Sequence, residues 1–416
     1  MIRSIRLRNF KSFRELDLKL GNFNVFVGAN AAGKSNVLQA FKFIGDIASH
    51  GLENAVAIQG GFKFLRNAGC DSSETVNVDI AVESTENFYL PLRPEGKART
   101  YGFSHCKATE IKHSLTLEPS GNTFAIKEDI FTCRFKAQEK KVSSVSGLIT
   151  ATHTRDKVHF SVEIDSKKVS VDKDMLRFVE GVKLPGRSAL AFSAEPIGLM
   201  SIPRMNTAVG DLDIAYYDFD PRLSKQAVRI SGFSDLDESA DNLAVVIQKI
   251  LNDTSQKERL MERIRDLLPH VRSLDLEHFS DSSLLMNLRE RYVSDLEFPA
   301  SLVSNGTVSV IATLVAMLFQ KSSMVIMEEP ERNIHPYLIE RLLNTIKEAS
   351  TSKQVLISTH SPTVLNNCAL EDLFLVRRDS EGVSFVTQPK DSEIVQSFLA
   401  DDFGMGRLYE TKLLEL

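Results

Sequence analysis

No stretch of this 416-residue chain is apolar for long enough to cross a bilayer. The longest, Val308 to Phe319, has 12 residues and is broken by Ser309 and Thr313, against the roughly 20 that a membrane helix needs. No membrane-embedded part is therefore expected, which removes that half of a transporter. Cysteine is scarce: Cys70, Cys106, Cys133 and Cys368 show no C-x-x-C pairing, so a cysteine-based zinc or redox site is excluded and reduced thiols in a cytoplasmic protein are expected. The basic N-terminal stretch from Met1 to Phe13 has no apolar segment behind it and does not read as a signal peptide. Positive charge is not in excess either. With 50 Lys and Arg against 55 Asp and Glu, nucleic-acid binding is left to a local basic surface. Helical spacing of apolar residues never lasts beyond a few turns, which excludes a long coiled-coil arm, and there is no internal repeat or low-complexity tract.

A hydrophobic content of 43% is enough to bury cores for two or three domains. Residues 2 to 20 alternate loosely, and Asn22 to Val27 forms a short apolar strand that runs into a glycine-rich turn. A helix is predicted from Lys34 to about Ile47. Apolar residues then fall on every second position at Val76, Val78, Ile80 and Val82, at Phe131, Cys133 and Phe135, and at Val158, Phe160, Val162 and Ile164. That period predicts antiparallel sheet with one wet face. Between 181 and 240, Pro185, Pro196, Pro203 and Pro221 mark loops. Leu243 to Leu251 and Leu260 to Leu268 carry helical spacing. From Pro299 the order becomes helix (307–319), strand (324–327), helix (336–349), strand (355–358) and helix (362–367), alternating α/β with parallel strands. Pro336 and Pro362 suit first helical turns.

Gly28-Ala29-Asn30-Ala31-Ala32-Gly33-Lys34-Ser35 fits G-x-x-x-x-G-K-[ST] in full and lies between a strand and a helix, the context that this phosphate-binding (Walker A) motif requires. In such a loop backbone N–H groups face the phosphates, Gly28 and Gly33 permit close approach, and the following helix turns its positive end to the anion. Lys34 is expected on the terminal phosphates, and Ser35 on Mg2+. The apolar strand Met324-Val325-Ile326-Met327 ends in Glu328-Glu329, the form of a Walker B element. Glu328 is assigned to the metal, although an Asp is usual at that place, and Glu329 to the general base that polarises the attacking water.

These motifs resemble those of the ABC ATPase superfamily in its RecF/SMC-like branch. That branch includes the AAA-family ATPases of bacterial phage-defence operons such as Septu, PARIS and OLD-like systems. The resemblance covers residues 1 to 70 and 295 to 380. Leu302-Val303-Ser304-Asn305-Gly306-Thr307 is similar to the L-S-x-G signature, with one extra residue between Leu and Ser, so Ser304 and Gly306 are its nucleotide-contacting positions. Glu329-Pro330-Glu331-Arg332-Asn333-Ile334-His335-Pro336 is similar to E-P-E-x-x-[LI]-H-P, the family's D-loop. Thr359-His360-Ser361-Pro362 resembles the segment with the switch histidine, making His360 the γ-phosphate contact. Asn9-Phe10-Lys11-Ser12-Phe13 resembles a segment that lies along the nucleotide, which adds Lys11 and Ser12 to the cofactor-binding candidates Gly28, Asn30, Gly33, Lys34 and Ser35 of the phosphate loop. Gln59 is the Q-loop candidate for the metal.

The fold implied is an α/β ABC-type ATPase head with a mixed central sheet, an antiparallel β lobe, an inserted α-helical region and no long coiled coil. Its parts are expected at 1–70 (head with Walker A), 71–180 (β lobe), 181–295 (mostly helical insertion), 296–380 (head with signature, Walker B, D-loop and switch His) and 381–416 (tail). The resemblance implies ATP and Mg2+ as cofactors, and a head-to-tail homodimer in which each signature serves the opposite subunit's nucleotide, with larger homo-oligomers left open. The leading expectation is the sensor or regulatory ATPase of an anti-phage defence complex with a nuclease or toxin effector. Leu416 follows His360 too closely for the C-terminal TOPRIM nuclease of some relatives, and Asp401-Asp402 reads as a surface turn, so that effector is expected to be another protein. The alternative is a RecF-like DNA-repair ATPase that binds DNA directly; a transporter ATPase is disfavoured by the inserted sheet and the D-loop string.

Overall fold

Strict alternation early in the chain and unbroken apolar runs late in it build two different kinds of sheet in the computed structural model. The structure describes the chain except residues 72, 84–86, 91, 95–103, 140–141, 155–156, 166–168, 172–212, 231, 233–234, 281, 294–295, 392–403 and 412–416. Pro185, Pro196, Pro203 and Asp401-Asp402 therefore lie outside the described residues. The chain divides into two units. One comprises Met1–Leu20, Gln39–Asp213 and Arg378–Phe385, the other Gly21–Leu38, Ile214–Arg377 and Val386–Leu416.

The first unit holds an antiparallel sheet in the order Lys157–Ile164, Val142–Thr154, Thr123–Glu139, Ser104–Ser120, Val76–Glu83, Ile2–Phe10, Phe13–Lys19, with Asn87–Leu90 paired to Ser104–Ser120. In Val76–Glu83 the valines and Ile80 are buried, whereas Asn77, Asp79 and Ala81 are half-buried, the two faces expected of period-2 alternation. Burying each large apolar side chain contributes about 1.5–3 kcal/mol. The buried face also carries a carboxylate. Asp129 is wholly buried, with His113 Nε2 at 2.6 Å from Oδ1 and His153 Nδ1 at 3.7 Å from Oδ2.

In the second unit the sheet order is Ile214–Tyr217, Met324–Glu328, Gln354–Thr359, Phe23–Val27 and the strand that starts at Leu373. Neighbours from the first strand to the fifth are parallel. Phe23–Val27 and the first four residues of Met324–Glu328 are buried on both faces, as parallel strands covered by helices must be. The helices are Asn305–Leu318, which is buried from Thr307 through Met317, Pro336–Ala349 and Pro362–Asn366. Pro336 and Pro362 each occupy a first turn, where a missing N–H costs nothing.

Leu243–Asn252 and Thr254–Leu267 are helices divided at Asp253, which ends the first and caps the second by accepting from Gln256 N at 3.0 Å. Beside these helices stands the antiparallel set Val228–Arg229, Ser283–Glu290 and Val271–Ser280, with Glu297–Pro299 also paired to Ser283–Glu290. Among the described residues the longest helix is Lys34–His50, of 17 residues, and no helix is long and apolar enough to cross a membrane.

Candidate functional site

Parallel strands in one sheet end side by side, and loops leaving their carboxyl ends form the crevice where α/β folds bind ligands. Register aligns Val27 with Thr359 and Glu328 with Ser358. The loops that begin at Gly28, Glu329 and His360 therefore leave the same edge of the sheet, from segments some 300 residues apart in sequence.

Gly28 is required by packing, since a Cβ there would lie 2.2 Å from the carbonyl oxygen of Val376. Gly33 has φ 112°, which only glycine adopts readily, and Ala31 is also left-handed at φ 63°. Asn30 is exposed at the tip of the turn. The helix Lys34–His50 begins at once, so its first N–H groups have no partner within the helix and face the loop. Lys34 is buried and its ammonium donates to the carbonyls of Gly28 (2.8 Å) and Ala29 (3.1 Å). Burial lowers the Lys34 pKa, opposed by Glu329, Glu328 and Glu331.

Ser35 Oγ donates to Glu328 Oε2 at 2.8 Å, so the residues assigned to the metal from two ends of the chain stand side by side. A hydroxyl and one carboxylate are a hard-oxygen donor set of the size Mg2+ takes when phosphates and water complete its shell. The pair fits that ion, and the loop fits a polyphosphate. Glu329 has φ 44°, a left-handed backbone costing on the order of 1–3 kcal/mol of the kind that collects at functional sites. Its N–H is held by Ser358 O at 3.0 Å. Its Oε1 lies 2.8 Å from His360 Nδ1, and Oε2 accepts from Arg332 at 3.5 Å.

Ser304 caps the helix Asn305–Leu318, accepting from Thr307 N at 3.1 Å, and its Oγ lies 2.8 Å from Thr307 Oγ1. A Cβ on Gly306 would meet Asn333 O at 2.6 Å, so this glycine lets the Glu329–Pro336 string lie against the helix Asn305–Leu318. Among the described residues, no hydrogen bond or ion pair links Ser304 to Lys34, Ser35, Glu328 or Glu329. Lys11, Ser12 and Gln59 belong to the first unit. There Lys11 has φ 48° and donates to Gln39 Oε1 at 2.6 Å, Ser12 is buried, and Gln59 ends the helix Leu52–Ile58.

Three further residues join the site. Tyr216 donates its phenol proton to Glu328 Oε1; burial first, then Glu328, pushes its pKa above the usual phenol range, so it stays a donor. Arg332 bridges Glu329 and Asp218, the latter at 3.0 Å. Buried Glu331 accepts from Thr359 Oγ1 at 2.5 Å, and Thr359 Oγ1 in turn accepts from Ser361 N at 2.9 Å. This ties the D-loop to the histidine segment. Arg332 and Glu331 lie inside a string already singled out. Tyr216 was signalled only by the short apolar run Ile214-Ala215-Tyr216-Tyr217 ending at Asp218.

Residues 23–366 match the family described as "AAA domain, putative AbiEii toxin, Type IV TA system". The OLD nuclease of Thermus scotoductus is 22% identical over 99% of this chain and 69% of its own length. An ATP/GTP phosphatase of Helicobacter pylori is 28% identical over 22% of the chain and 28% of its own length. A DNA replication and repair protein RecF of Lactococcus lactis is 42% identical over 12% of the chain and 14% of its own length. An SMC head, solved bound to the C-winged helix domain of ScpA, superposes with a TM-score of 0.50 over 93% of this chain and 96% of that one at 13% identity; at that identity the likeness is one of fold.

Proposed function

The chain belongs to this AAA-domain family, among the RecF/SMC/OLD-like ATPases, and from that premise we propose that it hydrolyses ATP in the presence of Mg2+ as a head-to-tail dimer. The 2.8 Å contact between Ser35 and Glu328 carries this reading, because it joins the phosphate loop to the acidic strand end in the arrangement that phosphoryl transfer to water demands. Bound Mg2+ would neutralise charge building on the phosphates. Lys34 adds a fixed positive charge, the N–H groups of the loop and helix start cradle the anion, and Glu329 orients and deprotonates water. His360 holds Glu329 in place while its exposed ring can reach a terminal phosphate. Gly28, Asn30 and Gly33 shape the loop, and Lys11, Ser12 and Gln59 are secondary candidates for nucleotide and metal.

Ser304 and Gly306 serve the nucleotide of a second copy in this reading, so the dimer forms around two ATP molecules and opens after hydrolysis. The family description names a toxin and one relative is called a nuclease, and both support an ATP-driven switch that controls a nuclease or toxin effector in defence against phage. Complementation tests the dimer. Lys34→Ala and Ser304→Arg chains, each inactive alone, contain between them one intact composite site. An equal mixture should recover about a quarter of the parent ATPase rate by statistical pairing of independent sites. A mixture as inactive as its components would contradict the head-to-tail arrangement.

A further inference from the structure

The acid at the end of Met324–Glu328 is a glutamate, one methylene and one rotatable bond longer than the usual aspartate. A carboxylate on that longer arm can serve a metal only if something fixes it. The neighbouring strand supplies the constraint. Ile214–Tyr217 runs parallel to Met324–Glu328, with Tyr216 opposite Ile326. Opposed residues share a sheet face, as do residues two apart along a strand, so Tyr216 and Glu328 project from the same face. Two residues of strand span about 6.6 Å, close to the reach of a tyrosine side chain from backbone to hydroxyl. The phenol meets Glu328 Oε1, and Ser35 Oγ meets Oε2. Each carboxylate oxygen thus has its own donor, one from the neighbouring strand Ile214–Tyr217 and one from the last residue of the phosphate loop.

We infer that Tyr216 is a positioning residue for the metal site. It holds Oε1 of Glu328 so that Oε2, beside Ser35, is the oxygen presented to Mg2+, and it offsets the extra freedom that glutamate brings. This rests on the proposed metal role of Ser35 and Glu328. Partners of this kind, which orient a metal-binding carboxylate without touching the ion, change metal affinity about 10–100-fold when removed.

The test uses Tyr216→Phe in the full-length chain, which keeps the ring and deletes only the hydroxyl. Mn2+ binding is titrated by electron paramagnetic resonance in the presence of a non-hydrolysable ATP analogue, and analogue affinity is measured separately in EDTA. The expected result is a Mn2+ affinity at least about tenfold weaker, unchanged metal-free nucleotide affinity, and turnover that recovers at high metal concentration. In a Glu328→Asp background the shorter carboxylate is beyond the phenol, so Tyr216→Phe should there change Mn2+ affinity by less than about twofold. An affinity like the parent's in the single variant, or an equal loss in the Glu328→Asp background, overturns the assignment. Ser35→Ala separates the two levels. If it weakens Mn2+ binding and Tyr216→Phe does not, only the tyrosine's role falls; if neither does, the metal reading of the site falls with it.

Discussion

Gly306→Ala tests whether the signature glycine is there for the nucleotide or for the D-loop. Gly306 is the second residue of the helix Asn305–Leu318 and has no left-handed φ, so alanine suits its backbone. Helix propensity alone predicts stabilisation of roughly 0.5–1 kcal/mol. The added Cβ, however, would stand 2.6 Å from Asn333 O, where ordinary contact begins at 3.4 Å, so the D-loop backbone must retreat by about 0.8 Å. The obstacle is backbone rather than a flexible side chain, and overpacking of that kind costs about 1–3 kcal/mol. The balance is a loss of about 0–2.5 kcal/mol, centred a little above 1 kcal/mol. Four residues before Asn333 lies Glu329, the proposed base, and a displacement near 1 Å at such a group can cost up to about 100-fold in rate. Denaturant unfolding and steady-state ATP hydrolysis, measured on the same preparation, should therefore fall together. A variant more stable than the parent, altered only in KM for ATP, would show that the glycine answers to nucleotide and that the packing argument is wrong.

Asp129→Ala should lower stability by about 1–3 kcal/mol, because it leaves the buried His113 ring without the carboxylate 2.6 Å from its Nε2; a shift in unfolding midpoint no larger than for a surface Asp→Ala would refute this. Glu331 has its carboxyl pKa raised by burial, so its protonated form is favoured in the fold. Its contribution to stability is full below the unfolded carboxylate pKa and is lost as pH rises through the folded value. Glu331→Gln keeps an acceptor for Thr359 and should flatten that loss in a pH series of unfolding midpoints; an unchanged pH profile tells against it. Glu329→Gln keeps the shape of the proposed base without its charge, and should retain ATP and shift the chain towards dimer in size-exclusion chromatography, whereas parent-like turnover would remove Glu329 from that role.

Much of the second unit could be read from local pattern. The helix Pro336–Ala349 begins and ends where its proline and periodicity place it, and Met324–Glu328 is an apolar run in a doubly covered strand. The loop at Gly28–Ser35 carries its own chemistry in its residue types. The hairpin Val271–Ser280/Ser283–Glu290 was not legible, because a register shift between Val271 and Ser273 breaks the alternation of Val271, Leu274 and Leu276 into spacings that fit neither strand nor helix. The contact of Tyr216 with Glu328 depends on which strand lies beside Met324–Glu328, a tertiary choice that a four-residue run does not encode. Asp129 and its histidines are likewise joined only by strand register, which sets Asp129 opposite His153.

The central claim is met most directly by phosphate release from ATP by the purified chain, with nucleotide binding measured in parallel, for the parent, Lys34→Ala and Glu329→Gln. The account predicts Mg2+-dependent release by the parent, loss of both binding and release in Lys34→Ala, and binding without release in Glu329→Gln. Release by Lys34→Ala at the parent rate would contradict it, since the reaction would then not be taking place on the loop Gly28–Ser35.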